Sequence, residues 1–277
     1  MLTTFIIVCL IGIIISLSWM GYKNTKDVVI NQLTIPEPGG KKGGVSLRVL
    51  HLSDLHLEHL SLSPEELYRY VKRLPVDLIA ITGDFLDRKR TLKKLKPYLQ
   101  VLGNLQPTYG AYAVFGNHDY ILKSSDFTKL KELLEECGFQ TLRNEHLTID
   151  VHGKKVNIIG IDDYRTGHSD LDKAYRNVPV GYNLVLTHDP NIILEMDDYP
   201  CDFLLAGHFH GGQICWPEPY QLIKMPTMGR LPKLNMIKGL HRFRGKTFYI
   251  SEGLGQTGLN IRFGSRPEIT FHQIFLA

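Results

Sequence analysis

A long apolar run occupies the beginning of the chain. No charged side chain occurs among the first 22 residues, and the stretch from Leu2 to Met20 consists mainly of Leu, Ile, Val, Phe and Gly. As a helix this stretch would span about 28 Å, close to the hydrocarbon thickness of a bilayer. A cleaved signal peptide typically has a basic start, a shorter apolar stretch and a small-x-small cleavage site, and none of these is clear here. We therefore predict a retained transmembrane helix as a membrane anchor over residues 1–22.

The pattern changes twice after this run. Residues 23–45 mix Lys, Asn, Pro and Gly and include Pro36-Glu37-Pro38-Gly39-Gly40, so we predict a linker there. From Ser46 to the end, short apolar strands alternate with amphipathic helices, which is typical of a layered α/β fold. The chain is thus predicted to contain an anchor (1–22), a linker (23–45) and one α/β domain (46–277).

The periodicity also predicts individual elements of the domain. A capping box that begins at Ser63 predicts a helix to about Leu74, and leucines on one face predict a second helix over 126–137, ending at Gly138. The predicted strands cover 47–52, 77–82, 111–115, 184–186 and 203–205, and a hairpin is predicted from 147–151 and 155–161.

Composition and charge refine this picture only slightly. The chain of 277 residues has a net charge of +4, which fits a protein near anionic phosphate or lipid. Its four cysteines form no CxxC pair, so free thiols are predicted, which favours a reducing compartment. Lys23, Lys26, Lys41 and Lys42 follow the anchor and nothing basic precedes it. The positive-inside rule therefore favours a single-pass protein of the cell membrane with a cytoplasmic domain, and the extracytoplasmic side stays open.

Polar residues that can bind metal ions follow the ends of the predicted strands. They are Asp54, His56, Asp84, Asn117 with His118 and Asp119, His188, His208 and His210. Carboxylate, imidazole and amide donors without sulfur suit divalent ions such as Mn, Fe, Zn or Mg. Residues i and i+2 of an extended segment share a side, so Asp54 and His56 are predicted to reach one ion together. Gly83, Gly116 and Gly207 would allow tight turns and a close approach of the backbone.

The order of these blocks resembles that of the calcineurin-like metallophosphoesterase superfamily. Its pattern DxH, GD, GNH[ED], GH and GHxH is matched from about Val45 to the end of the chain, with Thr187 where the fourth block usually has glycine. The resemblance implies a four-layer α/β/β/α sandwich over 46–277 with a binuclear metal centre. The implied ligands are Asp54, His56 and His210 for one ion, Asn117, His188 and His208 for the other, and Asp84 as the bridge between them. The anchor, the GHFHGGQ block and the segment 251–255 are similar to the membrane-linked YkuE/YaeI-type branch.

The resemblance also implies a mechanism. Two divalent ions would hold a bridging hydroxide that attacks phosphorus in line, and His118 would protonate the leaving oxygen. Asp119 would orient His118, with a helix or turn cap as an equally weighted alternative for this carboxylate. Arg262 and Arg266 are candidates for contacting the substrate phosphate. The basic and apolar segment between Trp216 and Lys246 would either rim the site for a phosphorylated or lipid headgroup or form a solvated insertion.

Three functions remain compatible with these residues. The favoured one is a hydrolase for a phosphodiester or pyrophosphate of a membrane-associated or lipid-linked substrate, similar to UDP-2,3-diacylglucosamine hydrolases. The alternatives are a phosphomonoesterase, such as a protein phosphatase or nucleotidase, and a non-catalytic metal-binding scaffold at the membrane. No nucleic-acid partner is expected, since a broad basic tract with interleaved aromatic residues is missing from the sequence.

Overall fold

Strands and helices alternate along the domain, as the hydrophobic pattern predicts. The computed structural model describes residues 1–36, 44–215 and 228–276. Its helices are α1 (Leu2–Asn24), α2 (Pro64–Val71), α3 (Leu92–Gly103), α4 (Ser124–Glu136) and α5 (Leu171–Ala174). Its strands are β1 (Val29–Ile35), β2 (Ser46–Leu52), β3 (Leu78–Thr82), β4 (Ala111–Val114), β5 (Phe139–Thr141), β6 (Glu145–Val151), β7 (Lys154–Gly160), β8 (Tyr182–Leu186), β9 (Phe203–Ala206), β10 (Gly239–Phe243), β11 (Lys246–Ile250) and β12 (Glu268–Phe275).

These strands form two mixed six-stranded sheets. The first has the order β1-β12-β2-β3-β4-β5, and the second has the order β10-β11-β9-β8-β7-β6. The strands β2 to β5 are parallel neighbours in the first sheet, as are β7, β8, β9 and β11 in the second. The carboxyl ends of parallel strands lie along one side of a sheet. The loops that follow β2, β3 and β4 are therefore close together, and so are the loops that follow β8 and β9.

The core confirms the four-layer α/β/β/α architecture. Successive residues of a strand point to opposite faces of the sheet. In β2, Leu47 and Val49 pack between the two sheets, whereas Leu50 and Leu52 pack beneath α2, α3 and α4. On the outer face of the second sheet, Val185 contacts a cluster that includes Ile192 from a 3₁₀ turn. The fourth layer therefore consists largely of short helical turns rather than of long helices.

The predicted hairpin is confirmed, and its turn explains its sequence. The strands β6 and β7 pair in antiparallel register, and His152 and Gly153 connect them with φ values of 51° and 83°. Positive φ at both central residues is the geometry that matches the twist of a two-residue hairpin. The helix α2 ends at Val71, three residues before the predicted end, and α4 begins at Ser124, two residues before the predicted start.

The linker prediction is wrong for part of the segment 23–45. Residues Val29–Ile35 form β1, which pairs in parallel with β12 at the edge of the first sheet. Its backbone is thereby paired along one side, which a linker would lack, and Ile35 is buried. Residues 37–43, which contain most of the Pro-Gly sequence behind the prediction, lie outside the described residues.

The helix α1 is attached to the domain by direct contacts at its end. It is long and apolar enough to cross a membrane, and its apolar side chains are exposed. Gly21 is the one residue of α1 that is buried, and it packs against Ile261 and Phe263 in the loop that follows β11. The Gly21 carbonyl accepts a hydrogen bond of 3.0 Å from the Arg262 amide, and the Asn24 side chain donates one of 2.8 Å to the Arg262 carbonyl.

This close packing predicts that a side chain at Gly21 disrupts the attachment. A Cβ atom there would lie 2.6 Å from the Phe263 ring and 2.9 Å from Ile261 Cβ, whereas nothing lies within 4 Å of a Cβ at Gly12 of the same helix. Gly21→Leu should lower the free energy of unfolding by about 1–3 kcal/mol, the usual cost of overpacking. Thermal unfolding of the full chain in nanodiscs measures the effect, with Gly12→Leu as the control. Equal stability of the two variants would contradict the packing.

Candidate metal centre

Loops from both sheets bring the predicted metal ligands together. Two groups of donor atoms result, each with all atoms within 4.8 Å of one another: Asp54, His56 and His210 in the first, and Asp84, His188 and His208 in the second. Asp84 also joins His56 and His118 in a third group. The three groups contain seven different side chains, and all of them except that of His118 are buried. The structure therefore assembles carboxylate and imidazole donors from five separate loops into one buried cluster.

The distances show how closely the two groups approach each other. Asp84 Oδ2 lies 3.1 Å from His188 Nε2 and 3.5 Å from His56 Nε2. Asp54 Oδ1 lies 3.3 Å from His210 Nε2, and His208 Nδ1 lies 3.2 Å from His188 Nε2. Asp84 thus stands between the groups, the position that the sequence assigns to a bridging carboxylate.

The backbone at these residues is strained. Asp54, His56, Asp84, His208 and His210 all have positive φ, between 37° and 77°. Non-glycine residues rarely adopt this region, and each such residue costs on the order of 1–3 kcal/mol. The expectation that Asp54 and His56 share a side in an extended segment is therefore wrong in its geometry, although the two side chains do meet. Left-handed turns, rather than an extended chain, direct them into the cluster.

Glycines allow the loops to approach one another. A Cβ atom on Gly116 would overlap the Asp84 carboxylate, and one on Gly207 would overlap the side chains of Ser53 and Asp54. Gly83 has a φ of 83°, and a Cβ there would lie 2.6 Å from the Gly116 amide nitrogen. The prediction for these three glycines is confirmed, because any larger residue would push the donor side chains apart.

Several donor atoms in the cluster fit a metal ion better than any protein partner. In the part of the chain that the structure describes, Asn117 Oδ1, His56 Nε2 and His210 Nδ1 are buried without a hydrogen-bond partner. A buried polar atom without a partner costs about 1–3 kcal/mol, so a cluster of such atoms requires an explanation. A divalent ion would satisfy them, and the oxygen and nitrogen donor set suits Mn, Fe, Zn or Mg.

Neighbouring groups orient the donors. The Thr82 carbonyl lies 2.7 Å from His188 Nδ1, which leaves Nε2 of that ring directed into the cluster. Ser53 Oγ donates a hydrogen bond of 2.6 Å to Asp54 Oδ2, and the His208 amide also donates to this carboxylate. Such outer contacts fix the ring tautomer and orientation of metal ligands.

Thr187, which replaces the usual glycine before His188, has no positive φ and donates its amide hydrogen to the Leu205 carbonyl, so glycine is not required here.

The carboxylate beside His118 is Asp87, and the prediction that Asp119 orients His118 is wrong. Asp87 Oδ1 lies 2.9 Å from His118 Nδ1 and 2.7 Å from His56 Nδ1. Asp119 instead accepts hydrogen bonds from the backbone amides of Asp84, Phe85 and Gly116, at 2.9, 3.0 and 2.9 Å. This agrees with the alternative of a turn cap. Asp119 holds the loops after β3 and β4 together, and Asp87 connects two imidazoles of the cluster.

Electrostatics set the protonation of these imidazoles. Burial lowers the pKa of His118, but the nearby Asp87 and Asp84 carboxylates outweigh burial, and the pKa is raised above its ordinary value. Burial lowers the pKa of His208 and of His210 well below the ordinary value. The last two rings are therefore neutral, which is the form that binds metal ions.

Burial also lowers the pKa of His56 and of His188, but the nearby carboxylates outweigh it and raise the pKa of His56 to about 9 and that of His188 well above the ordinary value. These two rings and His118 favour the imidazolium, so a bound metal ion would have to displace a ring proton from His56 and from His188.

The prediction that Arg262 and Arg266 contact the substrate phosphate is wrong, because both side chains bind other groups of the protein. Arg262 is fully buried, and its guanidinium donates hydrogen bonds to the carbonyls of Glu252, Gly253 and Gly255 and to Ser265 Oγ. It therefore stabilises the loop after β11. Arg266 forms an ion pair with Asp27, just beyond α1.

Of the basic segment between Trp216 and Lys246, residues 216–227 lie outside the described residues. A different cation, which the sequence did not single out, does reach the cluster: Arg165 Nη1 lies 3.4 Å from His208 Nε2.

Comparisons with known proteins agree with this arrangement. A family model described as "Calcineurin-like phosphoesterase" matches residues 47–212. The chain is 61% identical over 252 residues to "Uncharacterized metallophosphoesterase YkoQ" of Bacillus subtilis, covering 91% of this chain and 92% of that protein. It is 29% identical to "UDP-2,3-diacylglucosamine pyrophosphatase LpxG" of Chlamydia trachomatis, covering 80% and 82% of the two chains. It is 28% identical to "Phosphodiesterase YaeI" of Escherichia coli, covering 84% of each.

The contact between Asp87 and His118 predicts a change in titration. The negative charge of Asp87 favours the imidazolium, so Asp87→Asn removes that support and should lower the pKa of His118. Ring-proton NMR of His118 across a pH series measures the shift. The control is Asp126→Asn on α4, whose carboxylate contacts only Lys129 among the described ion pairs. An unchanged His118 titration in Asp87→Asn would contradict the assigned contact.

Proposed function

The chain belongs to the calcineurin-like phosphoesterase family, and we propose that it uses two divalent metal ions to hydrolyse a phosphodiester or pyrophosphate bond of a membrane-associated or lipid-linked substrate. Membership of the family makes it a phosphoester hydrolase. One observation carries the finer proposal: two groups of metal donors meet at Asp84, and His118, with its Nδ1 atom 2.9 Å from Asp87 Oδ1, lies beside them. The substrate and the roles of single residues are the proposed parts.

The proposed ligands follow the two donor groups. Asp54, His56 and His210 would hold one ion, and Asp84 would be shared between the two ions. The second ion would be held by Asn117, His188 and His208. Bound in this cluster, the ions would activate a water molecule and neutralise charge on the phosphoryl group. The buried, unpartnered oxygen of Asn117 supports its inclusion, because it has no other role among the described residues.

The residues of the chain supply the remaining steps. His118 is the most exposed imidazole of the cluster, with 26% of its side chain accessible, so a substrate leaving group can reach it. Its Nδ1 atom faces Asp87, which leaves Nε2 to donate a proton to the leaving oxygen. The Asp87 and Asp84 carboxylates favour the imidazolium, which is the form that a general acid requires. Asp87 is thus a positioning residue that also keeps His118 protonated.

The charged cavity beside His118 has two arginines and two carboxylates in its walls and supports a polar substrate end. It has a volume of about 500 Å³. Its walls include Arg88 and Arg90 along with Glu58, Asp87 and His118. Two guanidinium groups near the proposed acid would attract a phosphate-bearing headgroup from solution or from a membrane surface.

The position of α1 supports a membrane-associated substrate. Near the end of this apolar helix, Lys23 Nζ lies 4.0 Å from the centre of the Trp19 ring, and Tyr22 follows one turn later. Aromatic and basic residues at one end of an apolar helix are typical of a membrane–water interface. The relative from C. trachomatis is named for a pyrophosphatase of a diacylated sugar nucleotide, and the one from E. coli is named as a phosphodiesterase. These names favour a diester or pyrophosphate over a monoester.

The test is a substrate panel with matched histidine variants. Full-length protein loaded with Mn²⁺ should hydrolyse bis(p-nitrophenyl) phosphate and a lipid-linked diphosphate faster than p-nitrophenyl phosphate. His118→Asn should lower the rate on the lipid-linked diphosphate roughly 100- to 10,000-fold, the usual contribution of a general acid, and should affect the nitrophenyl esters less, because their leaving group is a weak base that departs without a proton. The control is His152→Asn in the hairpin turn, where asparagine suits the positive φ.

Three outcomes would contradict the proposal. Hydrolysis of the monoester alone would favour the phosphomonoesterase alternative. Full activity of His118→Asn on the lipid-linked diphosphate would remove this residue from the mechanism. Retention of the metals with no activity on any ester would favour the scaffold alternative.

A further inference from the structure

A second cavity opens at the metal cluster beside His208 and His210 rather than beside His118. It has a volume of about 320 Å³, within the usual range for small-molecule sites. We name it the chain groove, and it is lined chiefly by Phe209, Gly212, Ile214, Met228, Gly258 and Leu259, with His208 and His210 at its inner end. None of the described residues that line it is acidic, lysine or arginine, and the Arg165 guanidinium contacts two of them, with Nη1 3.4 Å from His208 Nε2 and 3.4 Å from Met228 Sδ. The chain groove therefore offers an apolar surface that begins at the proposed metal ligands.

Hydrogen bonds hold the walls of the chain groove in place. The Gln213 side chain donates hydrogen bonds of 2.9 and 3.0 Å to the carbonyls of Thr257 and Leu259, and it accepts one of 3.0 Å from the Thr257 amide. The segments on either side also pair, because the Phe263 amide donates to the Gln213 carbonyl at 2.9 Å. The chain groove is therefore preformed, which lowers the entropic cost of binding a flexible chain.

One wall of the chain groove leads directly to the apolar helix. Leu259 at its rim is 62% exposed, and three residues later Arg262 is bonded to Gly21 of α1. Three residues of extended chain span at most about 11 Å. The opening thus lies close to the end of α1, where Trp19 and Lys23 are expected to meet the membrane surface.

The chain groove and the charged cavity differ in chemistry and share a boundary. Thr257 and Gly258 line both, with the apolar side toward His208 and the charged side toward His118. A ligand that spans the metal cluster would therefore have one apolar and one polar end. This asymmetry distinguishes the two ends of the substrate.

We propose that the chain groove binds the hydrocarbon chain of a lipid substrate, which enters from the bilayer beside α1, while the polar headgroup occupies the cavity beside His118. This inference rests on the proposed function and specifies the substrate class of that site. It also assigns the leaving group: the polar headgroup leaves on the side of His118, and the part that carries the chain stays in the chain groove.

The test uses soluble chromogenic diesters that differ only in their chain. The substrates are methyl, butyl and octyl p-nitrophenyl phosphate, and the protein is the full chain in nanodiscs. Burial of each methylene raises kcat/KM by up to roughly fourfold, so the octyl ester should exceed the methyl ester by at least about tenfold. Leu259→Asp places a charge at the rim and should reduce this ratio by about tenfold or more.

The matched control is Val180→Asp. Val180 is 97% exposed and precedes β8, at the end of the sheet away from the metal cluster. This variant should keep the chain-length ratio, which separates binding in the chain groove from a general effect of added charge. Equal kcat/KM for the methyl and octyl esters, or an unchanged ratio in Leu259→Asp, would overturn the inference while the proposed function stands.

A binding measurement separates the inference from the proposed function. Octyl phosphate with a terminal diazirine is photolysed with the same protein, and the labelled peptides are mapped. Labels on the peptides that contain Ile214 or Leu259 are expected, with their loss in Leu259→Asp. Labels confined to α1 would overturn the inference. If no ester is hydrolysed, the proposed function fails, and the labelling pattern still decides whether the chain groove binds hydrocarbon.

Discussion

The structure depends on the burial of two carboxylates, Asp54 and Asp84, among imidazoles at the meeting point of the two sheets. A buried negative charge is costly unless it is paired or hydrogen-bonded. The Ser53 hydroxyl and the His208 amide bond to Asp54, and the His118 amide donates to Asp84 at 2.8 Å. Positive backbone dihedrals and closely packed glycines are needed to bring these groups together. Strain of this kind persists only where the surrounding fold compensates for it, which the fully buried strands β3, β4, β8 and β9 do.

The same loops connect the cluster of metal donors to the apolar helix α1. The loop after β11 contacts Asp54 through Gly253, contains the buried Arg262, and ends against Gly21 of α1. The strand β1 then continues from α1 into the edge of the first sheet. The helix is therefore attached to the domain by packed side chains and hydrogen bonds rather than by a free tether. This attachment fixes the orientation of the cluster of metal donors relative to α1.

Much of the architecture could be predicted from the sequence, because apolar runs mark the central strands and turn residues such as glycine mark where the strands and the hairpin end. The strand β1 was missed because a short segment among Lys, Asn and Pro becomes a strand only through pairing with β12, more than 230 residues away. The predicted donors do meet, since block order and strand ends constrain them. Asp87 was missed because no motif marks it, and only the fold brings it to His118. Arg262 was misjudged because its burial depends on carbonyls that the sequence pattern does not locate.

The central claim is that Asp84 joins two metal sites. The most direct measurement is the metal content per chain of full-length protein after loading with Mn²⁺ and removal of free ions, determined by mass spectrometry. The account predicts about two ions for the wild-type protein, one or none for Asp84→Asn, and about two for the control Asp126→Asn on α4, whose carboxylate pairs with Lys129. A wild-type content of one ion or fewer, or two ions retained by Asp84→Asn, would contradict it.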